Sequence, residues 1–85
     1  MKSVEIYTTP LCGFCHAAKR LLTQKGAAFT EIDVSRDPGL RAAMTKRAQG
    51  GRSVPQIFIG GAHVGGYDDL HALDQKGGLD PMLAG

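Results

Sequence analysis

The sequence has no long apolar run, no block of like charge, no tryptophan and only two cysteines. Its apolar stretches fall far short of the roughly 18 residues that a membrane-spanning helix needs. Ten Lys and Arg against eight Asp and Glu leave a net charge of +2, and the basic residues are scattered. That excludes a basic arm and gives no electrostatic footprint for nucleic acid. The opening MKSVEIYTTP carries Glu5 where a secretory signal is apolar, and no small-residue cleavage site follows, so a cytoplasmic protein is expected. Thiols stay reduced there, and two close cysteines in that compartment are more often catalytic or metal-binding than a staple.

What is present fits one ordinary folded unit. The 85 residues, 42% hydrophobic and 21% charged, suffice for a single core, so a single domain over residues 1–85 is expected. No repeat, linker or low-complexity segment interrupts it. Val4, Ile6 and Thr8 alternate with Ser3, Glu5 and Tyr7, which predicts a first strand. A helix from Gly13 to about Lys25 follows, stopped by Gly26. Phe29 to Val34 reads as a second strand. Asp37-Pro38 is an N-cap followed by a first-turn proline, and Leu40, Ala43, Met44 and Arg47 mark one face of the helix it opens. Val54 to Ile59 is a third strand, Gly60-Gly61 a hairpin turn, and Ala62 to Val64 a short fourth strand. Tyr67 to Lys76 reads as a third helix, and Asp80-Pro81 caps one last turn. The order is β-α-β-α-β-β-α. Its βαβ unit makes the first two strands parallel, and the hairpin makes the last two antiparallel. An α/β fold with a mixed four-stranded sheet flanked by helices is the expectation.

Both cysteines lie in LCGFCHAAK, at the join between the first strand and the first helix. Cys12 falls at the helix start, among unpaired N–H groups and at the positive end of the helix dipole, both of which stabilise a thiolate. Cys15 sits one turn on along the same face, where the two sulfurs can meet, and is expected to be more buried. This context gives C-x-x-C a redox meaning. Its rivals lack support. CGFCH matches the haem-attachment pattern, but no export signal or open loop accompanies it. A structural zinc needs about four ligands, and only His16, His63 and His71 could join, the last two eight residues apart. His16 is expected on the exposed side of the first helical turn, and His63 and His71 on the surface.

Two further stretches carry a bland and a functional reading side by side. Val54-Pro55 is either a strand-entry proline or a cis-proline loop beside the cysteines that exposes the Val54 backbone to an extended substrate. GGYDDL, Gly65 to Leu70, is either a turn plus N-cap or a glycine-permitted approach to a helix start whose free N–H groups hold a carboxylate.

Taken together, EIYT, CGFCHAAK, SVPQIFI, HVGGYDDL and GGLDPML resemble the small dithiol glutaredoxins of bacteria, the glutaredoxin 3 type, over essentially the whole chain. The resemblance implies a thioredoxin-like fold in its minimal form, with sheet order 2-1-3-4, and a glutathione-dependent thiol–disulfide oxidoreductase acting on protein–glutathione mixed disulfides and protein disulfides. It implies that Cys12 is the nucleophile and Cys15 the resolving cysteine. It further implies that Pro55 is the cis-proline, that glutathione is held by Phe14, Ser53, the Val54 backbone, Gly66, Tyr67 and Asp68, and that the protein is a monomer. Thr9 stands where many members carry lysine, which leaves the glycyl carboxylate of glutathione to Gln49 or Arg52. SVP replaces the usual TVP. CGFC replaces the usual CPYC and approaches the CGFS of monothiol members that handle iron–sulfur clusters. The alternative is therefore a dimer holding a 2Fe-2S cluster through Cys12 and two glutathiones; without it, no metal is expected. A thioredoxin-like reductase is disfavoured because the motif is not CGPC and tryptophan is absent.

Overall fold

The computed structural model describes all residues, 1–85. Eight elements follow one another: β1 (Val4–Thr8), α1 (Gly13–Gln24), β2 (Thr30–Asp33), α2 (Pro38–Arg47), β3 (Gln56–Ile59), β4 (Ala62–Gly65), α3 (Tyr67–Gln75) and α4 (Leu79–Ala84). The expected order is present, and the final turn at Asp80-Pro81 is a short helix. The sheet order is β2-β1-β3-β4, with β1 and β2 parallel and the other pairs antiparallel. This is the thioredoxin-like fold.

Alternation along the two central strands sorts side chains to two cores. Val4 and Ile6 of β1 and Ile57 and Ile59 of β3 pack with Ala18 and Leu22 of α1, Leu70 of α3, and Leu79 and Leu83 of α4. The opposite face carries Tyr7 and Phe58, covered by Met44 of α2 with Val34 and Ala48. The sheet is thus sandwiched between α1, α3 and α4 on one side and α2 on the other.

Three expectations need correction. β2 is shorter than Phe29 to Val34: Phe29 and Val34 flank it and pack into the two cores, Val34 still donating its N–H to the Thr8 carbonyl. β3 begins at Gln56, since Pro55 has no N–H to give the ladder. On α2, Leu40 and Ala43 are exposed and only Met44 of the expected face is buried. Arg47 belongs to that face for another reason. Its guanidinium lies 3.9 Å from the centre of the Phe58 ring, donates to the Tyr7 hydroxyl at 3.2 Å and pairs with Glu5 at 2.7 Å. A charged group thus covers the aromatic pair, an arrangement stabilised by about 0.5–2 kcal/mol.

Candidate active site

The strand–helix junction makes Cys12 itself the N-cap of α1. Its backbone is extended, and its Sγ accepts the Cys15 N–H at 3.0 Å. A sulfur in the place of the usual capping oxygen receives one of the four orphan amides of the helix, together with the positive end of its dipole. Cys12 is partly exposed and Cys15 is fully buried. Burial is the main cause that pushes the Cys15 thiol up to about 12, with its contact to Cys12 adding to the effect. The two thiols are therefore unequal: one reachable, one held protonated beneath it.

His16 is exposed, and its Nε2 donates to the Pro10 carbonyl at 3.0 Å, tying the loop before Cys12 back to the helix. Opposite Cys12 lies the loop before β3. The Val54–Pro55 peptide bond is cis, and the Cys12 thiol points at the Val54 carbonyl, 3.6 Å away. Of the two geometries left open for this dipeptide, the cis form beside the cysteines is the one present.

From this point a cleft of about 340 Å³ runs toward α3. Ser53, Val54 and Pro55 form one wall and Gly66, Tyr67 and Asp68 the other, with Phe14 at the mouth. The ring of Phe14, 63% exposed, stacks on Tyr67 with centroids 6.1 Å apart and so joins α1 to α3. Asp69 accepts the Gly66 N–H at 3.0 Å, and the first intrahelical bond of α3 comes from Leu70 to Gly66, so the N–H groups of Tyr67, Asp68 and Asp69 have no backbone partner. Gly65 has a φ of +116°, and a β-carbon there would collide with the Asp69 carboxylate. Only glycine fits that position.

Seven of the residues expected to bind substrate therefore line one cleft beside Cys12. Gln49 and Arg52 do not line it: both are exposed on the loop after α2. Thr9 is half-buried, and its carbonyl accepts the Cys12 N–H at 3.4 Å. Sequence reasoning missed Gln56 and His63, which also line the cleft; His63 was expected only as a surface residue. The signal was available, because a glutamine inside an otherwise apolar strand must find partners. No three His, Cys, Asp or Glu side chains converge on one point.

A reachable thiol at a helix start, a buried one a turn below and a cis-proline facing them define a thiol–disulfide oxidoreductase of thioredoxin-like fold. The glutaredoxin family model matches residues 4–64. Glutaredoxin 3 of Escherichia coli (strain K12) is 52% identical over 83 residues, covering 98% of this chain and 99% of its own length. Among solved structures, glutaredoxin from Brucella melitensis superposes with a TM-score of 0.86 at 55% identity, covering 98% of this chain and 89% of that one. A buckwheat glutaredoxin–glutathione complex superposes at 0.89 with 32% identity, covering 98% and 77%. The chain belongs to the glutaredoxin family.

Proposed function

We propose that this enzyme uses glutathione to reduce protein–glutathione mixed disulfides, with Cys12 as nucleophile. The observation that carries the reading is the cleft leading from Val54, whose carbonyl lies 3.6 Å from the Cys12 sulfur, to the unpaired N–H groups of α3. Its chemistry suits glutathione. The Val54 main chain faces the cysteinyl unit, the α3 N-terminus suits the γ-glutamyl carboxylate, and the unpaired Asp68 carboxylate suits the neighbouring ammonium. Gln49 and Arg52 lie outside this lining, so no residue of the cleft is assigned to the glycyl carboxylate. The relative solved with glutathione bound supports the choice of ligand.

In this mechanism the Cys12 thiolate attacks the glutathione sulfur of the mixed disulfide. The Cys12–glutathione bond forms, the protein–glutathione bond breaks, and the protein leaves as a thiolate that takes up a proton. A second glutathione thiolate then attacks the glutathione sulfur on Cys12, releasing glutathione disulfide and regenerating the Cys12 thiolate. On a protein disulfide Cys12 attacks first, and Cys15 then attacks the Cys12 sulfur, closing the internal disulfide and freeing the second protein thiol. That step needs the Cys15 proton removed. Burial of Cys15 opposes that loss, which favours the monothiol route. The protein works as a cytoplasmic monomer in this reading.

The test is substrate preference. One peptide is offered as its mixed disulfide with glutathione and with 2-mercaptoethanol, glutathione being the reductant. A KM at least about tenfold lower for the glutathione form is expected, since only that form reaches the α3 end of the cleft. Equal KM values would contradict the assignment.

One observation favours a second activity. Nothing lies within 4 Å of the place a Gly13 β-carbon would take, so the turn after Cys12 is open. A 2Fe-2S cluster, if held, would be bound by Cys12 of two copies and two glutathiones against this exposed turn. Anaerobic reconstitution with iron, sulfide and glutathione tests it: a coloured dimer that Cys12→Ser abolishes supports the cluster, and a colourless monomer contradicts it.

A further inference from the structure

We infer that Gln56 and His63 are positioning residues that aim the Val54 N–H at the substrate. This rests on the reading of the Val54 main chain as the edge that pairs with glutathione.

Gln56 is 5% exposed, and its side-chain amide is the one buried polar group on that wall of the cleft. Both ends of the amide are used. Its Nε2 donates to the Ser53 carbonyl at 3.0 Å, and its Oε1 accepts from His63 Nε2 at 2.7 Å. Gly51 supplies bare backbone beside it, for a β-carbon there would lie 2.9 Å from Gln56 Nε2. His63 is itself held flat against the Phe58 ring, with centroids 5.0 Å apart and planes 29° apart. The hairpin register, Ile59 opposite Ala62 and Phe58 opposite His63, brings the two rings together for this stack.

The consequence follows from peptide geometry. The Ser53–Val54 bond is trans, the only cis bond being the next one. In a trans peptide the carbonyl and the N–H point opposite ways. Fixing the Ser53 carbonyl on Gln56 therefore turns the Val54 N–H away from Gln56. That N–H has no partner within the chain. It is a donor held ready for an acceptor on an extended ligand, two residues before the strand proper begins.

The Ser53 carbonyl determines which way the amide faces, and His63 holds its other end. An amide side chain rotated by 180° would fill the same space with its oxygen against the Ser53 carbonyl, and two acceptors would meet. In the orientation found, the amide NH2 faces the Ser53 carbonyl and Oε1 is left to take the Nε2–H of His63. The imidazole thus acts through Gln56 and Ser53 on Val54, without touching substrate.

Gln56→Met keeps the volume and removes both hydrogen bonds; His63→Phe keeps the stack and removes one. Each is compared with wild type in KM and kcat for a glutathionylated peptide. The Val54 amide resonance is followed when Cys12 is glutathionylated in a Cys15→Ser background. The expected result is a KM raised about fivefold or more with kcat changed less than about twofold, the signature of lost binding rather than lost chemistry. The Val54 amide shifts strongly in the parent and weakly in both variants. Wild-type KM and a full Val54 shift in both variants would overturn the inference. A Val54 amide that does not move in the parent would instead overturn the pairing of glutathione with Val54. Should Gln56→Met fail to fold, His63→Phe, at the surface, carries the same comparison.

Discussion

The Thr8 hydroxyl donates to Glu31 Oε2 at 2.7 Å, across the β1–β2 pair. The same oxygen takes the Lys19 ammonium of α1 at 3.0 Å. The bond from Thr8, and then that from Lys19, hold the Glu31 carboxyl below its ordinary value of 4.5. A carboxylate with a depressed folded value contributes stability that is fully present above pH 4.5 and is lost as pH falls through the lower folded value. Glu31 is partly exposed, so solvent screens much of the effect. Glu31→Gln is expected to cost about 0.5 kcal/mol at pH 7 and nothing near pH 2. Urea unfolding at both pH values checks this; an equal cost at both would contradict the pairing.

Burial of Cys15 predicts unequal alkylation. At pH 8 iodoacetamide should label Cys12 alone, and Cys15 should react only in denaturant. The raised Cys15 value also has a sign for stability. The unfolded chain loses this proton near 9, the folded chain near 12, so stability falls as pH rises across that interval. Mass spectrometry of the labelled protein decides, and two labels on the native protein would contradict the burial.

Gly65→Ala tests the turn that places α3. The added methyl meets the Asp69 carboxylate at a φ of +116°. A loss of about 1–3 kcal/mol in unfolding free energy is expected, together with a raised KM, because the Gly66 to Asp68 wall moves. A variant as stable as wild type would show that the turn tolerates the side chain.

Asp68→Ala removes the carboxylate assigned to the ammonium of glutathione. A single ion pair of this kind predicts a KM for glutathionylated peptide raised about three- to tenfold with kcat nearly unchanged. An unchanged KM would place the γ-glutamyl end elsewhere.

Much of this was legible in the residues. Period-two alternation in Val4 to Thr8, the Asp37-Pro38 start and the paired glycines each name a local geometry, and the βαβ order then leaves few topologies. Cys12 and Cys15 were legible because the strand–helix junction gives C-x-x-C its chemistry. The cis state of Val54–Pro55 was legible only through the family resemblance, since sequence physics alone allows both isomers. Arg47 hid among apolar positions because its partners, Glu5, Tyr7 and Phe58, lie on strands far away in sequence. The Gln56–His63 pair was missed for a like reason. The bond runs diagonally between β3 and β4, Gln56 lying two residues before Phe58, the residue opposite His63, so strand pairing alone does not name it.

The central claim is that Cys12 alone carries the glutathione chemistry. Its most direct test is glutathione-driven turnover of a glutathionylated peptide by wild type, Cys12→Ser and Cys15→Ser. The account predicts no turnover without Cys12 and retained turnover without Cys15. Activity that survives the loss of Cys12, or that vanishes with Cys15, would contradict it.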